Sequence, residues 1–164
     1  MDDNRSRGRA GNGPDPAVRA ALAAAVPDRE PVALEPLGRG NRKRTLLARF
    51  ADRESVVVQR PGRAGGAGEH GPDGGSETGD TGTGSELRAE ALVLRALGER
   101  TGLPVPAVLA DGTVDGTSYL VTEYVAGEGL HEVFADLDRS TQRRLVRAFG
   151  RHLAAVHDVF DFAG

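Results

Sequence analysis

Leu37-Gly38-Arg39-Gly40-Asn41 is followed at once by Arg42-Lys43-Arg44. Small residues at this spacing let backbone N–H groups come close to an anion, and the cations beside them add positive charge. Such a stretch can equally be a plain hairpin turn. A second position is Gln59, which closes the run Val56-Val57-Val58. A strand that holds nucleotide phosphates wants a Lys or Arg at this point. An amide donates a hydrogen bond but brings no charge. Arg60 is adjacent, yet strand alternation turns it to the opposite face. Third, Glu90 lies within the apolar stripe Leu87, Ala91, Leu94 and Leu97. A carboxylate there needs a cation or strong donors, unless it reaches solvent from the edge of the stripe. Fourth, the segment YLVTEYVAGEGL (119–130) passes from apolar strand into irregular, Gly-containing chain. Backbone groups at Glu123, Tyr124 and Val125 are then free to pair with the flat edge of a purine.

Regular elements must position these residues. Asp15 reads as the cap of a helix with Pro16 at its first position, ending near Pro27. The period then changes to that of strands over 32–38, 45–51 and 54–60, joined by links short enough for hairpins. Residues 62–84 contain ten glycines in 23 positions and almost nothing apolar. That composition predicts a long flexible insertion. Ser85 reads as the cap of a helix over 85–98. A strand near 106–110, a turn at Asp115-Gly116 and a strand over 118–125 follow. Residues 127–137 read as irregular or a short helix. Ser140 reads as the cap of a last helix with Leu145, Phe149, Leu153 and Val156 along one face.

The composition closes several routes. The chain has 164 residues, a net charge of −3 and no cysteine, so thiolate catalysis, disulfides and cysteine zinc sites are excluded. The four histidines show no metal-binding spacing. Lys43 is the only lysine among 21 basic residues. No apolar run approaches the length of a membrane span, and a cytoplasmic location is the expectation. Nucleic-acid binding through Arg39 to Arg44 and the Arg-rich last helix is disfavoured, because the charge is local and lacks aromatic interleaving.

Taken in order, LGRGN, VVVQRP, ELRAEALVLRAL, LPVPAVLADG, YLVTEYVAGEGL and RHLAAVH resemble the amino-terminal lobe of a protein-kinase-like fold, that of the aminoglycoside/choline phosphotransferase family. The resemblance spans about residues 32–160. It implies an α+β fold with a five-stranded antiparallel sheet and a packed helix bearing the ion-pairing Glu90. The implied organisation is a disordered tail at 1–14, the lobe at 15–126, and a linker with the first helix of an incomplete second lobe at 127–164. The implied nucleotide contacts are Gly38, Gly40, Asn41, Gln59, Glu90, Glu123, Tyr124 and Val125. Gln59 departs from the family's Lys or Arg.

The closing stretch HDVFDFAG (157–164) has the residue types of kinase catalytic loops. Asp161 follows Asp158 by three residues, which span at most about 11 Å. That is too close for two strand-borne loops, and no Asn stands downstream of His157-Asp158. The stretch therefore reads as a helix end and exit loop, with His157 structural. No catalytic residue and no metal ligand is assigned in the chain. The resemblance implies ATP or GTP with Mg²⁺, the metal ligands lying outside this chain. It also implies a small-molecule hydroxyl acceptor of unknown identity, and a missing second lobe that a separate chain could supply. On this reading the chain alone is inactive. The alternative is a non-catalytic nucleotide-binding or scaffolding protein.

Overall fold

The computed structural model describes residues 15–38, 43–62 and 81–160. The expected tail at 1–14, most of the Gly-rich insertion and residues 161–164 lie outside them. The elements are α1 (Pro16–Ala25), β1 (Ala33–Pro36), β2 (Lys43–Arg49), β3 (Ser55–Pro61), α2 (Thr81–Arg100), β4 (Val108–Val114), β5 (Thr117–Glu123), α3 (Leu130–Val133) and α4 (Arg139–Val159). The five strands form one antiparallel sheet in the order β1-β2-β3-β5-β4. The expected α+β architecture is present.

Alternation along the strands divides the core in two. On one face Leu46, Ala48, Val56, Val58 and Val121 meet Val18, Ala21 and Leu22 of α1. On the other, Leu120 meets Leu87 and Ala91 of α2. The sheet is thus covered by one helix on each side. Asp15 caps α1 by accepting a hydrogen bond from the Ala17 N–H at 3.0 Å. The same carboxylate holds Arg60 at 2.9 Å, which places Arg60 on the α1 face, as alternation requires. β4 and β5 are joined through Asp115 (φ 47°) and Gly116 (φ 76°). Two consecutive positive φ values make the primed turn that matches strand twist. The Arg29 guanidinium pins the β2–β3 turn, bonding Asp52 and Glu54 and stacking over Phe50 at 4.4 Å.

Several boundaries differ from expectation. The glycine-rich insertion was expected to stay irregular to Gly84, but α2 already begins at Thr81. The backbone at Gly84 comes so close to β5 that an added Cβ would lie 2.7 Å from the Ser118 Oγ. Ser85 is therefore inside the helix, its hydroxyl donating to the Gly82 carbonyl. Ser140 does not cap α4 either. Asp138 does, accepting from the N–H groups of Ser140 and Thr141 and from both hydroxyls. The apolar face expected on α4 is present, yet Phe149 and Leu153 are exposed. Gln142 near the start of α4 donates to the Phe134 carbonyl at 2.8 Å, and at its end Arg100 stacks on Phe160 and donates to the Val159 carbonyl.

The hydrogen bonds from Ser140 and Thr141 hold the Asp138 carboxyl well below the usual carboxylate range. A depressed folded-state pKa stabilises the folded chain above the unfolded value of 3.8, and the contribution fades as pH falls below it. Asp138→Ala is expected to fray the first turn of α4. Amide exchange at Ser140 and Thr141 should quicken at neutral pH, and wild type should approach the variant's rates in acid. Equal protection of the two proteins at pH 7 would show that the cap contributes nothing.

Candidate functional site

The α2 face of the sheet carries the chemistry. β2 and β3 pair with Thr45 opposite Gln59 and Lys43 opposite Pro61. In an antiparallel ladder directly opposed residues share a face, so Lys43, Thr45, Val57 and Gln59 all look toward α2. Leu87 and Ala91 anchor α2 on Leu120, which lies opposite Gln59 on β5. Glu90 is next to Ala91 and points back across the sheet. Its Oε1 accepts a hydrogen bond from the Gln59 Nε2 at 3.3 Å. Its Oε2 lies 2.5 Å from the Lys43 Nζ.

With Gln at position 59, β3 offers Glu90 no cation on this face; β2 supplies one instead. Both charged side chains are about a third exposed, so the pair is partly shielded from water. Gln59 directs one of its two amide N–H donors at Glu90, while its Oε1 is buried without a hydrogen-bond partner among the described residues. A lysine ammonium has three donors. One is used on Glu90, and among the described residues no partner is recorded for the other two.

The remaining nominated residues divide by position. Gly38 adopts a φ of +88°, a backbone conformation that side chains disfavour, and nothing lies within 4 Å of where its Cβ would be. It leads into the β1–β2 link. Gly40 and Asn41 lie outside the described residues. Glu123 ends β5, and its N–H is spent on the Ala107 carbonyl at 2.9 Å. Its carboxylate accepts from the Ala107 N–H at 3.4 Å. The Glu123 N–H is therefore not available to a ligand. Among the described residues no hydrogen bond engages the backbone of Tyr124 or Val125, and Val125 is exposed. Sequence reasoning missed Thr122. It is buried on the same face as Val57, its partner across the ladder, just before this segment.

A cleft of about 810 Å³ lies elsewhere, between α2 and the β4–β5 hairpin. Neither Lys43 nor Glu90 lines it. Its charged walls are Arg88, Arg95 and Asp111, and the last two are bound to each other at 2.5 Å. It offers less unspent chemistry than the Lys43–Glu90 site. Among the described residues no group of three or more His, Asp or Glu side chains converges to hold a metal ion. No helix among them is long and apolar enough to cross a membrane.

The sequence pattern of a phosphotransferase enzyme family matches residues 33–164, which includes all five strands, α2 and α4. The chain belongs to that family. Phosphotransferases of this kind in general use a nucleotide and a metal ion. Among curated proteins none matches significantly. A solved structure from Thermobifida fusca, assigned as a fructosamine-3-kinase, is 26% identical with a TM-score of 0.43. The similarity covers 69% of this chain and 32% of that one. The chain thus spans about a third of the length of that phosphotransferase.

Proposed function

We propose that this chain supplies the nucleotide-binding lobe of a phosphotransferase that moves the γ-phosphoryl group of ATP or GTP to a hydroxyl on a small molecule, of the aminoglycoside phosphotransferase type. The observation that carries this reading is the Lys43–Glu90–Gln59 cluster on the α2 face of the sheet. It supports phosphate binding next to the Gly38 turn. The unspent backbone groups of Tyr124 and Val125 support recognition of a purine edge at the end of β5. Positioning and charge neutralisation are most of what phosphoryl transfer asks of a protein.

Mg²⁺, if bound, would supply neutralisation of the charge that develops in transfer. Among the described residues no group of three or more acidic or histidine side chains converges to hold it. The sequence also lacks a His-x-Asp-x-x-x-x-Asn catalytic loop. The base, the metal ligands and most acceptor contacts are assigned to a second lobe. The chain alone is therefore expected to bind nucleotide without turning it over. A second reading, a non-catalytic scaffold, is favoured by one observation, the amide at position 59 where family members carry a cation.

Calorimetric titration of Mg·ATP separates the two readings. The expected result is binding with a Kd of roughly 0.1–1 mM, about 4–5.5 kcal/mol, with purine nucleotides preferred over CTP. ATP consumption should not rise with a panel of aminoglycosides, sugars and amino alcohols. No heat with any nucleotide would leave the scaffold reading standing. Turnover that vanishes in Asp158→Ala would overturn the assignment of catalysis to a second lobe.

A further inference from the structure

Position 59 on β3 holds an amide, yet the helix carboxylate that would orient a β3 cation is in place and has found an ammonium. That ammonium comes from the neighbouring strand. Lys43 is the first residue of β2, immediately after the link that Gly38 opens. Its side chain shares the α2 face with Gln59 because Lys43 lies opposite Pro61 and Thr45 opposite Gln59. The two oxygens of Glu90 are divided between them, Oε2 to the Lys43 Nζ and Oε1 to the Gln59 Nε2.

We propose that the phosphate-binding cation of this site is carried by β2, at Lys43, and that Glu90 holds it there while Gln59 fills the other carboxylate oxygen. The inference rests on the nucleotide-binding reading above and names the residue that contacts the nucleotide's phosphate oxygens. Three features support it. The ammonium keeps two donors beyond Glu90, enough to reach phosphate oxygens. It is about a third exposed, so a ligand on this face can meet it without displacing core. It also begins β2 five residues after Gly38, the described glycine between β1 and β2. Gln59 is the poorer candidate, since its amide brings no charge and directs one of its two N–H donors at Glu90.

A purely structural ion pair makes a different prediction. It would change stability when broken and leave affinity alone. The test is calorimetric titration of Mg·ATP into the 164-residue chain as wild type, Lys43→Met, Arg95→Met and the exchange variant Lys43→Gln/Gln59→Lys, with a thermal melt of each. Loss of a charge-assisted contact to phosphate should weaken binding by roughly tenfold or more in Lys43→Met. Arg95→Met, which breaks the ion pair with Asp111 in the separate cleft, should stay within about threefold of wild type. The exchange variant, which returns the cation to β3 beside Glu90, should recover most of the affinity. If wild type binds and folded Lys43→Met binds equally well, the assignment is overturned while the nucleotide reading survives. If wild type itself binds no nucleotide, the nucleotide reading fails and this inference falls with it. If Lys43→Met does not fold, the exchange variant decides: folded but without affinity, it overturns the assignment.

Discussion

Leu120→Ala is expected to cost about 2–5 kcal/mol of folding stability. Leu120 is fully buried on β5 and faces α2. Its fully buried partners there are Leu87 and Ala91, with Val108 partly buried beside them. Truncation removes most of the side chain that seats the helix. Ala91 is too small to move into the gap, and Leu87 cannot fill it without leaving its own place, so a cavity term adds to the lost transfer energy. Urea denaturation should show a lower midpoint with little change in slope. The effect should extend to the site, because Glu90 is held over Gln59 and Lys43 by the seating of this one helix. A loss below about 1 kcal/mol would mean that α2 is anchored by something other than Leu120.

Asp15→Ala is expected to cost about 2–4 kcal/mol, more than a helix cap alone delivers. The Asp15 carboxylate has two tasks. It accepts the Ala17 N–H at the start of α1, and it neutralises Arg60 of β3. The Arg60 side chain is only 12% exposed, and its Nε is buried without a partner among the described residues. An arginine cannot shed its charge, so deleting Asp15 strands a guanidinium between helix and sheet. Asp15→Asn keeps a capping oxygen and loses the charge. Asp15→Ala in an Arg60→Met background loses the cap without stranding a charge. Denaturation of the three variants should therefore give the largest loss for Asp15→Ala alone. If the loss is the same with and without Arg60, the ion pair does not contribute and the cap is the whole effect.

Most of the sheet was legible because its signals are local. The Asp115-Gly116 turn, the alternation in 54–60 and the Asp15-Pro16 start each depend on residues within a few positions of one another. The approach of Gln59 to Glu90 was legible for the same reason, since strand alternation and helix periodicity suffice to aim both. The partner of Glu90 was not. Strands expected at 45–51 and 54–60 stop short of the pair Lys43 opposite Pro61. The proline suggested an ending, yet the ladder runs on to include it. Lys43 reaches the α2 face only through that last pairing. The α4 cap was misplaced because Ser140 is a common cap, while the Asp138 carboxylate two residues earlier can take up two N–H groups and two hydroxyls at once. The apolar face of α4 was read correctly as a pattern, but a pattern does not say what covers it.

Lys43 is the chain's only lysine, all other basic side chains bar the histidines being arginine. Amine-selective reagents therefore have one side-chain target in the whole sequence, besides the chain's amino terminus, and it is the ammonium paired with Glu90. A single acylation event, counted by mass spectrometry, would report on this site without mutating anything. Its rate would follow how tightly Glu90 grips the amine and whether a ligand shields it. The arginine-rich composition makes the protein a one-handle molecule for covalent chemistry.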